Sequence, residues 1–356
     1  MATLFLMLPL LVACSIGDVR RPPPNRASVS PEPVATTPPA ADVHEVRVVR
    51  VAVPDRYDPP VIEFVDADRA YALFATCDGG PPGRDCPALL FATRDGGRSW
   101  QALLHPRPVA ENQQLYAPQG LLALNAEPFG WYASTDGGVT FIHYPEAAEP
   151  PALVGASGQF QMAGDSGRVA RWDGRRLRPL AVQPGLPMVS AVREAGDLLV
   201  AAGAADGRPY AAVSTDQGRS WQRSPVPAPD GEVEVVRVMS APDGEVWLIG
   251  ERPDRMGFPA LWIYRGNWQL VRAAGHPDDM RSVAPVGAGR VAVTGPDGVG
   301  VVVDGRYERV SWPVGPEHYL YLLDDGTLVA KAPDEVILAV GPPGARQWIR
   351  VALVGD

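Results

Sequence analysis

Three aspartates stand in one recurring frame: Thr93-Arg94-Asp95-Gly96-Gly97-Arg98-Ser99-Trp100, Ser134-Thr135-Asp136-Gly137-Gly138-Val139-Thr140-Phe141, and Ser214-Thr215-Asp216-Gln217-Gly218-Arg219-Ser220-Trp221. A carboxylate in such a frame has two chemistries open to it. It can move protons in catalysis, or it can accept backbone N–H groups inside a turn. The rest of the frame favours the turn. Gly97, Gly138 and Gly218 supply a left-handed backbone angle, and Trp100, Phe141 and Trp221 start a strand as inward-packing anchors. Asp95, Asp136 and Asp216 are therefore read as corner residues with no catalytic role.

Other chemistries find less support. The five histidines, at 44, 105, 143, 276 and 318, are isolated, with no pair at metal-ligand spacing. No Gly-Lys-Ser/Thr phosphate loop occurs, and Lys331 is the sole lysine. Ser166-Gly167 lacks the frame of a nucleophile elbow. No metal and no cofactor are expected. Glu317-His318-Tyr319 pairs an acid with a phenol, but its alternation reads as a strand. Cys77 and Cys86 flank a turn-rich loop, where opposed hairpin positions reach disulfide geometry; a zinc pair there has no further ligands nearby. A net charge of −9 and a pI near 5.1 argue against nucleic acid as a partner. Arg175-Arg176-Leu177-Arg178 reads as an exposed sheet edge, where charge discourages strand pairing.

The elements that hold these residues follow from punctuation. The 356 residues include 39 prolines and 37 glycines, about one residue in five, too many for a helical bundle. A hydrophobic content of 46% is too high for a disordered chain. The three aspartates recur at intervals that are multiples of about 40, a propeller-blade period. Worn copies fall in phase at Arg171–Leu177, Tyr264–Trp268, Val303–Tyr307 and Gly341–Trp348, making seven hairpins in all. Within the first unit, Val61–Val65, Ala70–Ala75, Ala88–Thr93 and Trp100–Leu104 read as four short strands. The fold expected for residues 44–356 is thus all-β: a seven-bladed propeller of four-stranded antiparallel blades, with His44–Val53 as an extra strand that helps close the ring.

The three strong frames resemble Asp-box (BNR) repeats, which occur in sialidases, sortilin-type receptors, xyloglucan-cleaving enzymes and photosystem assembly factors. The resemblance implies the fold and leaves activity open. A sialidase would need three arginines on the substrate carboxylate, a tyrosine nucleophile activated by Glu, and an Asp acid/base. Its opening Phe/Tyr-Arg-Ile-Pro segment has no match; Arg56-Tyr57-Asp58-Pro59 has the wrong order, and sialidases have six blades. Xyloglucan-cleaving relatives place their site between two propellers, and this chain has length for one. If a ligand is bound, loops on the face opposite the Asp boxes are the expected place. Candidate contacts there are Arg84, Arg208, Tyr210, Arg255 and Phe258.

Residues 1–13 form a short apolar run without charge, which reads as a secretory signal rather than a span. Its Leu11-Val12-Ala13-Cys14 ending resembles a bacterial lipobox, which implies a lipidated Cys14 and attachment to a membrane. Residues 14–43 form a Pro-rich linker. The expected protein is an extracytoplasmic, membrane-anchored monomer serving as a non-catalytic binding or assembly module for a protein or an envelope glycan. The alternatives are an exo-sialidase-like hydrolase and a photosystem assembly factor-like scaffold.

Overall fold

A computed structural model describes residues 42–145, 149–164, 167–254 and 257–355. The signal run, Cys14, the linker up to residue 41, Ser166 and Arg255 lie outside them. The described chain is a β-propeller of seven antiparallel blades. Each turn of the recurring frame, worn or intact, joins the third and fourth strands of its blade, so the period read in the sequence is the period of the blades.

Burial explains why the blades read as they do. The second and third strands lie between neighbouring blades and are buried on both faces, as in Ala70–Phe74, Leu198–Ala205 and Ala260–Tyr264. Such strands need continuous apolar runs rather than alternation. The outermost strands, Gln101–Leu103 and Gln222–Ser224, are largely exposed to water, and the second is polar throughout.

Each neighbouring pair of blades shares one hydrophobic cluster. Tyr71 and Leu73 pack with Leu122 and Leu124 between blades 1 and 2, Leu121 and Trp131 with Leu153 between blades 2 and 3, and Phe160 and Val169 with Leu199 between blades 3 and 4. Val200 meets Leu248 and Trp262 between blades 4 and 5. Trp247 and Ile249 meet Val283 and Val293 between 5 and 6, and Ala284 and Val286 meet Leu328 and Ile337 between 6 and 7. The last cluster joins Phe64 and Phe74 of blade 1 to Val329 and Val351 of blade 7, which closes the circle. The extra strand is Glu45–Val51. It pairs in parallel with Gln347–Gly355 and makes blade 7 five-stranded.

Blade 3 departs from four strands. Where its innermost strand would run, Pro151–Ala156 is a short helix that buries Leu153. Pro150-Pro151 accounts for this, because two prolines in a row withhold the N–H donors a strand ladder needs, while proline suits the first turn of a helix.

Candidate functional site

The corner aspartates spend their carboxylates on their own turns. Asp95 Oδ1 accepts from Thr93 Oγ1 at 2.8 Å and from the Ser99 N–H at 2.9 Å, and its Oδ2 accepts from Ser99 Oγ at 2.6 Å. Asp136 repeats the set with Ser134 Oγ at 2.8 Å, the Thr140 N–H at 3.0 Å and Thr140 Oγ1 at 2.6 Å. Asp216 does so with Ser214 Oγ at 2.7 Å, the Ser220 N–H at 2.9 Å and Ser220 Oγ at 2.6 Å. The hydroxyl bonds of Thr140 and Ser220 hold the Asp136 and Asp216 carboxyls at about 2. At Asp95 burial pulls the other way, but the Ser99 bonds outweigh it and the result is again about 2. Sequence reasoning missed the role of the first residue of each frame. Thr93, Ser134 and Ser214 also accept the N–H of Gly97, Gly138 and Gly218, at 2.9, 2.8 and 2.8 Å. The worn copy in blade 3 keeps part of the device: Asp173 accepts the N–H groups of Arg175 and Arg176 and pairs with Arg178.

The anchors Trp100, Phe141 and Trp221 are partly buried and pack on the inter-blade clusters. Trp221 Nε1 donates to the carbonyl of Val182 at 3.2 Å.

The expected contact residues scatter. Cys77 and Cys86 form a disulfide with Cα atoms 6.6 Å apart, and Arg84 is exposed on the loop they close. Arg208 and Tyr210, expected on a loop, lie in a strand instead: Gly203 pairs with Tyr210 across two strands, and the chain reverses tightly at Asp206-Gly207. Arg208 and Tyr210 do share a cavity of about 490 Å³ with Leu186, Arg223 and Val226. Phe258 is a correction, since it is only 6% exposed and stacks on His276 with ring centroids 4.2 Å apart. A phenyl ring gains more from that core than from water. Arg84 belongs to blade 1 and Arg208 with Tyr210 to blade 4, so these residues do not form one site.

Near the start of the innermost strand of blade 7, one ligand-type atom each from Glu317, His318 and Glu335 lies within 4.8 Å of the other two. Linear spacing concealed this grouping, because Glu335 comes from the loop between the second and third strands of the same blade. These groups already have protein partners. His318 Nδ1 accepts the Gly315 N–H at 3.0 Å and lies 2.9 Å from Glu317, and Arg350 holds Glu335 at 2.9 Å.

A cavity of about 660 Å³ sits where the ends of the innermost strands converge. Blades 1, 2, 4 and 7 supply strand ends, and blade 3 supplies its helix. It opens on the side of the aspartate corners, not on the expected opposite side. The Gly96 N–H of the first corner donates to Asp68 O in the turn between the first two strands, at 2.7 Å, and Asp325 of blade 7 accepts the Ala67 N–H at 2.9 Å. Phe64, Leu115, Leu153 and Phe160 give the cavity apolar walls, while Glu63, Glu149, Glu194, Asp324 and Arg193 give it charge. Glu63 pairs with Lys331. Among the described residues, the side chains of Glu149, Arg193, Glu194 and Asp324 form no hydrogen bond or ion pair. Tyr321 also lines the cavity. Its hydroxyl is sealed from solvent without a hydrogen-bond partner, and burial, helped by the Glu63 charge, pushes its acidity well below that of a free phenol.

No family model matches the chain, and no curated protein matches it. Among solved structures it is similar to YCF48 bound to a D1 peptide (16% identity, 84% of this chain and 93% of the other, TM-score 0.41). It is also similar to YCF48 from Cyanidioschyzon merolae (14%, 82% and 94%, TM-score 0.43). A catalytically inactive virginiamycin B lyase from Staphylococcus aureus with quinupristin is a third likeness (12%, 80% and 94%, TM-score 0.44).

Proposed function

We propose that the chain is an exported, lipid-anchored Asp-box propeller that works as a non-catalytic binding or assembly module, with its partner protein or envelope glycan seated over the axial cavity. The observation that carries this reading is a division of labour among carboxylates. Those of the corners are saturated by their own turns, whereas three at the cavity are unpaired among the described residues. Unpaired polar groups around a concave, half-apolar surface are what a binding site presents before its ligand arrives. The address rests on the apolar run and Cys14 of the sequence.

Sialidase-type hydrolysis fits the cavity less well. It calls for three guanidinium groups on one carboxylate, and Arg193 is the one arginine among the lining residues. It also calls for an activated tyrosine, whereas Tyr321 is held protonated. The test is to offer the full chain a fluorogenic sialoside. No turnover is expected; turnover that disappears in Tyr321→Phe or Glu63→Gln overturns the binding reading. Metabolic labelling with palmitate checks the anchor, with label expected on the wild-type chain and none on Cys14→Ser.

A further inference from the structure

We propose that the axial cavity receives a basic peptide segment of a partner protein, with an arginine or lysine side chain laid along the apolar wall and its cationic head among the rim carboxylates. The inference rests on the binding reading above and names the chemistry of its ligand.

Charge sets the sign. Four carboxylates and one guanidinium line the cavity. Lys331 neutralises Glu63, which leaves Glu149, Glu194 and Asp324 against Arg193, a surplus of two negative charges. The whole chain, at −9, carries the same sign, so its long-range field attracts the same ligand.

Spacing sets the class. Glu149 precedes the helix of blade 3, Glu194 lies in blade 4 and Asp324 follows the innermost strand of blade 7. Among the described residues, these carboxylates form no cluster tight enough for one metal ion, whose oxygen ligands must come within about 2.0–2.6 Å of it. An extended cation can satisfy carboxylates on separate blades. Arginine and lysine combine an aliphatic stem with a charged head, which matches a cavity walled by Phe64 and Leu153 and rimmed by acids. A volume of about 660 Å³ exceeds that of one side chain, so residues on either side of it enter as well.

The second, independent observation is Tyr321. A buried hydroxyl without a partner costs stability, and Tyr321, which carries one, is among the residues that line the cavity. Turned toward an incoming guanidinium or ammonium group, its oxygen can accept a hydrogen bond and gain the partner it lacks.

The test titrates the full chain with fluorescently labelled tetra-arginine, tetra-citrulline and tetra-glutamate peptides and with spermine, read by anisotropy or by competition. Tetra-arginine is expected to bind, more weakly as salt rises, and the neutral citrulline isostere and tetra-glutamate are not. Glu194→Gln with Asp324→Asn should weaken tetra-arginine by about tenfold or more, the effect of losing charged hydrogen-bond partners. Asp278→Asn with Glu308→Gln removes the same charge elsewhere and should leave binding near that of the wild type. Tyr321→Phe should weaken binding several-fold without lowering the melting temperature of the free chain. Equal weakening by both double variants overturns the proposal in favour of general charge attraction. Spermine binding as tight as tetra-arginine overturns the peptide assignment. Binding of tetra-citrulline or tetra-glutamate in place of tetra-arginine overturns the cationic ligand but leaves the binding reading standing, whereas sialoside turnover overturns that reading itself.

Discussion

Ser134 Oγ performs two tasks in one corner: it donates to Asp136 at 2.8 Å and accepts the Gly138 N–H at 2.8 Å, while only 1% exposed. Ser134→Ala strands that buried N–H, and urea denaturation should show a loss of about 1–3 kcal/mol. Ser134→Thr should sit near wild type, because Thr93 fills the same place in blade 1. Two pH windows also belong to single residues. The corner aspartates titrate at about 2 in the folded chain and at about 3.9 when unfolded. Their stabilisation is therefore complete above about pH 4 and is lost as pH falls from 4 towards 2. His105 behaves differently. Burial lowers it from 6.5 to about 4, so the unfolded chain takes up a proton first and stability falls between those values. Melting temperatures followed from pH 8 to 2 should show both declines. Asp136→Asn should flatten the lower one and His105→Gln the upper one.

At the scale of elements, the corner glycines fasten one blade to the next. A Cβ on Gly138 would come 2.6 Å from Leu103 of blade 1, one on Gly218 2.4 Å from Leu180 beyond the outer strand of blade 3, and one on Gly97 2.6 Å from Val351 of blade 7. The sequence frame showed the need for a left-handed angle at these positions, and Gly218 has φ +78°. It did not show the close approach, because the neighbour that crowds each glycine comes from a different repeat. Gly174 separates the two effects. Its φ is +92°, yet a Cβ there meets nothing within 4 Å. Gly174→Ala should cost only the backbone strain of about 1–2 kcal/mol. Gly218→Ala should add an overpacking cost of about 1–3 kcal/mol. Chemical denaturation of the two variants measures the difference, and equal losses would show that the inter-blade approach contributes nothing.

Across the whole molecule, what was legible was what repeats. Seven hairpins in phase predicted seven blades, because each blade carries its own turn and apolar runs. The axial cavity was not legible, since it gathers residues from five blades that share no motif. Phe258 was misplaced because its neighbour His276 comes from beyond the next two strands. The helix of blade 3 had a signal in Pro150-Pro151 that the repeat pattern overrode. The closing strand was legible by its alternation, and it does more than extend a sheet. Glu45–Val51 covers the edge of Gln347–Gly355, and Val51 and Val53 enter the cluster joining blades 7 and 1. Arg47, 7% exposed, donates to Gly96 O in the first corner at 2.6 Å. One strand therefore ties the last blade, the seam and the first corner together. Because every blade leans on two neighbours, a closed ring should unfold in one step, whereas an opened one can lose its terminal blades separately. Deleting residues 42–53 from the full chain should lower the melting temperature, split the single transition into two, and raise light scattering as the bared edge of Gln347–Gly355 pairs between molecules. Arg47→Met keeps the strand and removes its tie to the corner together with its pair to Glu45, so it should lower stability by about 1.5–3 kcal/mol with the single transition intact. A deletion variant that still melts in one step at the wild-type temperature would mean that the hydrophobic clusters alone close the ring.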